Sequence, residues 1–274
     1  MEDLTERRRV LITGASSGIG LAAAVELARR GDEVVLVGRD PARLTAAGDR
    51  VRQAGGTAPA LFRADFAVLD DVRRLAEDLR REYDRFDVLA NNAGAIVLDP
   101  VTTVDGFELT IQANHLAPFL LSNLLADRVA RIVTTASGAH RSGQLDPDDL
   151  NAPLRRYRPF TAYGTSKQAN ILFAAEAARR WPQLRSYSFH PGVVRTRFAA
   201  DSPLVAFGMR IAPFLRSPAQ GADTLVWLAG QDAARLVDGG YHYRRRLHRP
   251  RPQAADPQLA ARLWTASERA VGLV

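Results

Sequence analysis

Tyr163 and Lys167 stand four residues apart in the stretch from Thr161 to Asn170. On a helix that spacing stacks two side chains on one face, one turn apart. Of the 37 side chains that are lysine or arginine, Lys167 is the sole lysine. Its ammonium is a compact charge with three rotatable donors, whereas guanidinium is a wide planar fork. A free tyrosine, with a pKa of about 10, holds its proton too tightly to exchange it readily at neutral pH. A neighbouring ammonium favours the phenolate and lowers that pKa, so the pair suits proton transfer at an oxygen. The plainer alternative is a surface lysine with no partner, and the rest of the chain decides between them.

A second group of residues points to a phosphate ligand. Thr13-Gly14-Ala15-Ser16-Ser17-Gly18-Ile19-Gly20 follows the apolar run Val10–Thr13 directly. Glycines at 14, 18 and 20 permit a tight turn and close backbone approach to a pyrophosphate. A helix starting near Gly18 would aim its positive N-terminus there. The same glycines could simply connect two elements; the strand before and the helix after favour the binding reading. The second strand ends Val37-Gly38-Arg39-Asp40. An acid at this point suits the ribose of NAD, and an arginine suits the 2′-phosphate of NADP; Arg39 comes first, so the charge argument favours NADP(H). An ordinary surface arginine is the alternative. Asp65-Phe66 ends the third strand, where the carboxylate can accept from an adenine amino group or cap the helix starting near Leu69. Asn91-Asn92-Ala93-Gly94 ends the fourth, offering amides and little bulk to a flat ring, although such a sequence is also a common turn.

These residues need a scaffold, and the pattern supplies one. Apolar or β-branched runs recur at Val10–Thr13, Glu33–Val37, Ala60–Ala64, Phe86–Ala90, Arg131–Thr135 and Arg185–His190. Helical segments are expected between them, at Gly18–Arg30, Pro41–Ala54, Leu69–Tyr83, Gly106–Asp127 and Ala162–Trp181. This alternation predicts an α/β fold, a single-domain Rossmann-type doubly wound parallel sheet with helices on both faces, covering residues 1–274. Two long intervals leave from strand C-terminal ends, where such sheets bind ligands. Arg141–Phe160 is polar. Residues 196–217 carry Phe198, Leu204, Val205, Phe207, Met209, Ile211, Phe214 and Leu215. That is too apolar for a disordered loop, and a substrate lid is expected.

Composition closes off other classes. There is no cysteine, hence no disulfide, thiolate metal site or cysteine nucleophile, and the five histidines fall in no metal-ligand pattern. No window reads as a membrane span, and the N-terminal residues lack the apolar core of a secretory signal, so a cytoplasmic location is expected. The net charge of +7 is concentrated partly in Arg244, Arg245, Arg246, Arg249 and Arg251. This run is read as a solvated loop and no nucleic-acid partner is expected; a positive field also attracts a phosphorylated cofactor.

Taken together, Thr13–Gly20, Asn91–Gly94, Ser137 and Tyr163-x-x-x-Lys167 resemble the short-chain dehydrogenase/reductase family in order and spacing. Asn114–Leu121, Ala162–Asn170 and Arg262-Leu263-Trp264 resemble its retinol dehydrogenase-like branch. The resemblance implies that Tyr163 is the acid in carbonyl reduction and the base in alcohol oxidation. It implies that Lys167 tunes Tyr163 and binds the nicotinamide ribose, that Ser137 holds the substrate oxygen, and that Asn114 supports a proton path. It also implies cofactor contacts from Gly14, Ser16, Ser17, Gly18, Ile19, Gly20, Asn92, Ala93 and Gly94. Further contacts are implied from Pro191, Gly192 and Val193 after the sixth strand, and from Thr196. His140 and His190 are read as packing or loop support. Three departures matter. Ala136 replaces a second serine; Ser17 is not basic, so Arg39 must do more; and the absent cysteine argues against protochlorophyllide photochemistry. The expected activity is NADP(H)-dependent interconversion of a carbonyl and an alcohol on a small-molecule substrate that is bulky and lipophilic. The rival is a non-catalytic NADP(H)-binding sensor or scaffold. The family's habit of pairing through the helices bearing Asn114 and Tyr163 makes a homo-oligomer one expectation.

Overall fold

The computed structural model describes residues 7–55, 57–194 and 215–274. Its sheet has eight strands in the order β3-β2-β1-β4-β5-β6-β7-β8. They are β1 Arg9–Thr13, β2 Glu33–Gly38, β3 Ala60–Arg63, β4 Val88–Asn91, β5 Arg131–Thr135, β6 Arg185–His190, β7 Tyr241–Tyr243 and β8 Arg246–His248. Every neighbouring pair is parallel except β7–β8. The strand order reverses between β1 and β4, which is where an open parallel sheet leaves a crevice at its C-terminal edge.

Strand alternation sorts the core into two layers. Leu11, Val35, Val37, Leu89 and Ile132 face one side, packed against α3 (Leu69–Glu82), α5 (Ala117–Leu124), α7 (Pro159–Arg180) and α9 (Pro257–Ala270). Val10, Ile12, Val34, Leu36, Val88, Val133, Tyr187 and Phe189 face the other, against α1 (Gly18–Arg29), α2 (Pro41–Gly55) and α8 (Pro218–Gly230). Residues on both faces are sealed from water, so these strands read as continuous apolar runs, as parallel strands do.

The expected helix Gly106–Asp127 is shorter and interrupted. It consists of α4 (Leu109–Ile111), a π-helical turn (Gln112–Leu116) and α5. In the turn the Ala117 N–H reaches back five residues to the Gln112 carbonyl. Such bulges are frequent at functional sites, and this one carries Asn114. The helix bearing Tyr163 starts earlier than expected, at Pro159, whose missing N–H costs nothing at a first helical position. A short α6 (Ala152–Arg155) lies in the Arg141–Phe160 interval. The Arg244–Arg251 run is exposed, as expected, but part of it forms the β7–β8 hairpin. Its turn places Arg244 and Arg245 at φ 50 and 59, a conformation usually left to glycine or asparagine. Among the described residues no helix is long and apolar enough to cross a membrane.

Candidate active site

Because β1, β2, β4, β5 and β6 are parallel, the segments leaving Thr13, Gly38, Asn91, Thr135 and His190 all emerge at one edge of the sheet. The glycine loop after β1 and the Asn92-Ala93-Gly94 segment after β4 are locked together there. Thr13 Oγ1 accepts from the Asn92 and Ala93 N–H groups, both at 3.0 Å, and Asn92 Nδ2 donates to the Thr13 carbonyl at 3.0 Å. Gly14 and Gly18 hold φ of 65 and 56. A Cβ at Gly20 would lie 2.5 Å from both Asn92 Nδ2 and the Gly14 carbonyl oxygen, so no larger residue fits. Ser17 takes the N-cap position of α1 in extended backbone and makes no side-chain cap bond. The orphan N–H donors of the first turn are therefore left for another acceptor, which is what an anion-binding helix start needs. These features fit a dinucleotide pyrophosphate.

Arg39 is exposed at the exit of β2. Asp40 points elsewhere: its carboxylate accepts from the Arg43 N–H at 3.0 Å and lies 3.5 Å from the Arg43 guanidinium. The Arg43 backbone bond holds its pKa below the usual carboxylate value. The one acid that could have bound a ribose hydroxyl at this strand end is thus engaged in starting α2. Asp65 accepts from the Ala67 N–H at 3.0 Å and does not cap α3, whose Leu69 N–H is taken by Asp105 at 2.9 Å. Phe66 is buried in the core, so only its backbone faces the cofactor edge.

Ser137 lies beyond β5 as the N-cap of a single 3₁₀ turn, and its hydroxyl accepts from the Ala139 N–H at 3.1 Å. The same side chain neighbours the Tyr163 phenol closely enough to favour its ionised form. Lys167 is 2% exposed; its Nζ donates to the Thr135 carbonyl at 3.0 Å and lies 5.5 Å from the centre of the Tyr163 ring. Gly94 makes room for this packing, since a Cβ there would sit 2.9 Å from Asn114 Oδ1 and 3.3 Å from Lys167 Nζ. Asn114 accepts from the Ala95 N–H at 2.8 Å, and its Nδ2 donates to the Ala95 carbonyl and to Ser166 Oγ at 2.9 and 3.0 Å. Ser137, Tyr163, Lys167 and Asn114 are therefore brought together as the spacing suggests.

The electrostatics run against the expectation that Lys167 lowers the tyrosine pKa. Burial dominates both partners of the tyrosine–lysine pair. It pushes the Tyr163 phenol upward, partly opposed by the Ser137 side chain, and lowers Lys167 to about 7. In the protein without cofactor each group is driven toward its neutral form.

Among the supporting residues, His115 and Asn170 escaped sequence reasoning, whereas His140 and His190 take the loop-support role expected of them. His115 is fully enclosed and lowered to about 4 by burial. It is hydrogen-bonded to Ser267 of α9 at 2.9 Å, and the Asn170 side chain beside it opposes the lowering. Asn170 Nδ2 in turn donates at 3.0 Å to the Thr135 carbonyl that also holds Lys167. The Ser137 loop is gripped by two histidines. His190 Nδ1 accepts from the Gly138 and Gly192 N–H groups at 3.1 and 3.3 Å, which requires an unprotonated nitrogen; burial lowers this ring to about 4. His140 Nδ1 lies 2.7 Å from the Ser137 carbonyl, and its Nε2 accepts from the Arg251 N–H at 3.2 Å.

Arg216 clamps the turn after β6. Its Nη1 donates to the Pro191 carbonyl at 3.1 Å and its N–H to the Val193 carbonyl at 2.9 Å. Gly192, at φ 87, and the exposed Val193 lie within that clamp. Thr196 and most of the 196–217 interval fall outside the described residues, leaving only Leu215, Arg216 and Ser217 visible from it.

Comparison with known proteins agrees with this geometry. Residues 8–204 match the family described as short chain dehydrogenase. A candidate daunorubicin C-13 ketoreductase of Streptomyces sp. (strain C5) is 55% identical, over 97% of this chain and 93% of its own length. Human retinol dehydrogenase 13 is 36% identical, over 97% and 85% respectively. An uncharacterised protein from Mycobacterium paratuberculosis superposes with a TM-score of 0.81 at 36% identity, covering 97% of this chain and 93% of that one. A short-chain dehydrogenase from Sphingobium yanoikuyae in complex with NADPH gives 0.65 at 28% identity, covering 80% and 82%. With the glycine loop, the β4 turn and the Ser137–Tyr163–Lys167 cluster all in place, the chain belongs to the short-chain dehydrogenase/reductase family, in its retinol dehydrogenase-like branch.

Proposed function

We propose that this chain is an NADP(H)-dependent oxidoreductase that interconverts a carbonyl and an alcohol on a bulky lipophilic substrate. The observation that carries the proposal is the cluster at one sheet edge of Ser137, Tyr163 and Lys167, whose Nζ lies 5.5 Å from the centre of the Tyr163 ring, beside the glycine loop. Bound NADPH supplies the hydride. The chain's own residues handle the oxygen. Ser137, held by the Ala139 N–H, offers its hydroxyl to the substrate oxygen, and Tyr163 passes it a proton in reduction and takes one back in oxidation. Burial keeps Tyr163 protonated but holds that proton tightly, so its transfer depends on the charge developing on the substrate oxygen and on a cation beside the phenol. The tyrosinate left behind needs a cation, and the negative charge of a phosphorylated cofactor favours the ammonium form of Lys167. Asn114 is placed beside Gly94 and Lys167 to support return of the proton.

NADP(H) is supported by exposed Arg39, by the engagement of Asp40 elsewhere, and by related structures in complex with NADPH. A bulky substrate is supported by Phe160, 70% exposed and three residues ahead of Tyr163 on the same face of α7. The apolar interval 196–217 remains our candidate lid, and the names of two relatives denote sizeable organic substrates. The reading is tested by following NADPH oxidation over carbonyl compounds graded by size and polarity. Turnover should rise with apolar bulk; preference for small polar ketones would overturn the substrate class.

A further inference from the structure

We infer that Arg63 is a second cationic ligand for the 2′-phosphate of NADP(H), acting beside Arg39; the inference rests on the NADP(H) reading above. A phosphate monoester carries a charge of about −1.5 to −2 at neutral pH, so a single guanidinium leaves it part-neutralised. The glycine loop does not supply the missing cation, because Ser16 and Ser17 stand in it. Arg43 does not supply it freely, because it faces Asp40 at 3.5 Å. The first turn of α2 does not supply it either, since Asp40 already accepts from the Arg43 N–H there.

Arg63 meets the requirement by position. It is the last residue of β3 and lies opposite Gly38 in the parallel register with β2. Its Nε donates to the Arg39 carbonyl at 3.3 Å, which ties the guanidinium to the backbone of the residue expected to meet the phosphate. That bond uses one of five N–H donors and leaves the two terminal amino groups, the geometry that grips phosphate oxygens in pairs. Among the described residues neither Arg39 nor Arg63 forms an ion pair, whereas the neighbouring Arg43 faces Asp40. Two unneutralised guanidiniums at neighbouring strand ends repel each other, and a shared dianion between them relieves that repulsion. Because β2 and β3 are fixed by backbone pairing, little reorganisation is needed when the anion arrives.

The test uses the full chain and needs no carbonyl substrate. Dissociation constants for NADPH and NADH are measured by fluorescence titration for the wild type, Arg63→Ala, Arg63→Lys and Arg39→Ala. Competition by 2′-AMP against 5′-AMP separates recognition of the 2′-phosphate from recognition of any phosphate. Arg63→Ala should weaken NADPH and 2′-AMP about 10-fold while leaving NADH and 5′-AMP within about twofold, the size expected for one exposed charge-assisted pair. Arg63→Lys should fall between, keeping charge without the fork. Unchanged NADPH affinity in Arg63→Ala would overturn the inference. So would parallel weakening of NADPH and NADH, which would make Arg63 only a prop for the Arg39 backbone. If the wild type binds NADH as tightly as NADPH and Arg39→Ala alters neither, the NADP(H) reading itself fails, and the role of Arg63 with it.

Discussion

Lys167 shows how a functional requirement can oppose stability at a single residue. Its ammonium is enclosed, with the Thr135 carbonyl as its hydrogen-bond partner, and burial lowers its pKa from 10.5 to about 7. The sign of the pH effect follows. Below about pH 7 the lysine is protonated both folded and unfolded, so the whole cost of burying the charge is present. Between 7 and 10.5 the unfolded chain holds more protons than the folded one, and stability rises with pH as that cost is relieved. Lys167→Met keeps the length and removes the charge. It should stabilise the cofactor-free protein by about 1–3 kcal/mol near pH 6. That corresponds to a rise in Tm of about 2–9 °C. The gain should shrink above pH 7 and vanish near 10.5, while turnover is lost. Thermal unfolding across this range measures it, and a variant less stable near pH 6 would mean that the Thr135 bond outweighs the burial cost. The lone lysine was conspicuous in the sequence; its desolvation was not, because only the folded neighbours of α7 create it.

At the scale of elements, the site depends on where helices touch strand ends. The π-helical turn displaces the register of the helix so that Asn114 meets Ser166 of α7 and His115 meets Ser267 of α9. The path Ser267–His115–Asn170–Thr135 then ends on the carbonyl that holds Lys167. Asn170→Leu removes the middle of this path without touching the reacting groups. It should lower kcat about 10-fold and weaken NADPH by a smaller factor, because a misplaced ammonium loses transition-state stabilisation as well as its expected contact with the nicotinamide ribose. Steady-state kinetics and NADPH titration together decide; an unchanged kcat would show that Thr135 orients Lys167 without Asn170. A bulge of this kind leaves no mark in the apolar spacing, which is why a continuous helix is the expectation over Gly106–Asp127. The glycine loop was legible for the opposite reason: its conformation demands a residue type that can be read directly, as Gly20 shows against Asn92 and Gly14.

For the whole molecule, the first six strands and the doubly wound parallel arrangement were readable because buried parallel strands are written as apolar runs separated by helix-length segments. The C-terminal quarter was not. β7 and β8 have three residues each, β8 is exposed throughout, and the turn between them uses Arg244 and Arg245 where a glycine or asparagine would have signalled a hairpin. α9 did carry a signal, Asp256 capping a helix that opens on Pro257. Its Trp264 packs edge-on to Phe119 and Trp181 and stacks on Phe173, securing the helix that bears the site. Sheet, bulge and C-terminal helix thus converge on one hydroxyl, that of Tyr163. The most direct measurement is therefore Tyr163→Phe, assayed for NADPH oxidation with a reducible carbonyl and for NADPH binding by titration. Turnover should fall by about 10²–10⁴-fold, the range of a lost general acid, with the NADPH dissociation constant held within about twofold. A variant that keeps wild-type turnover would contradict the mechanism.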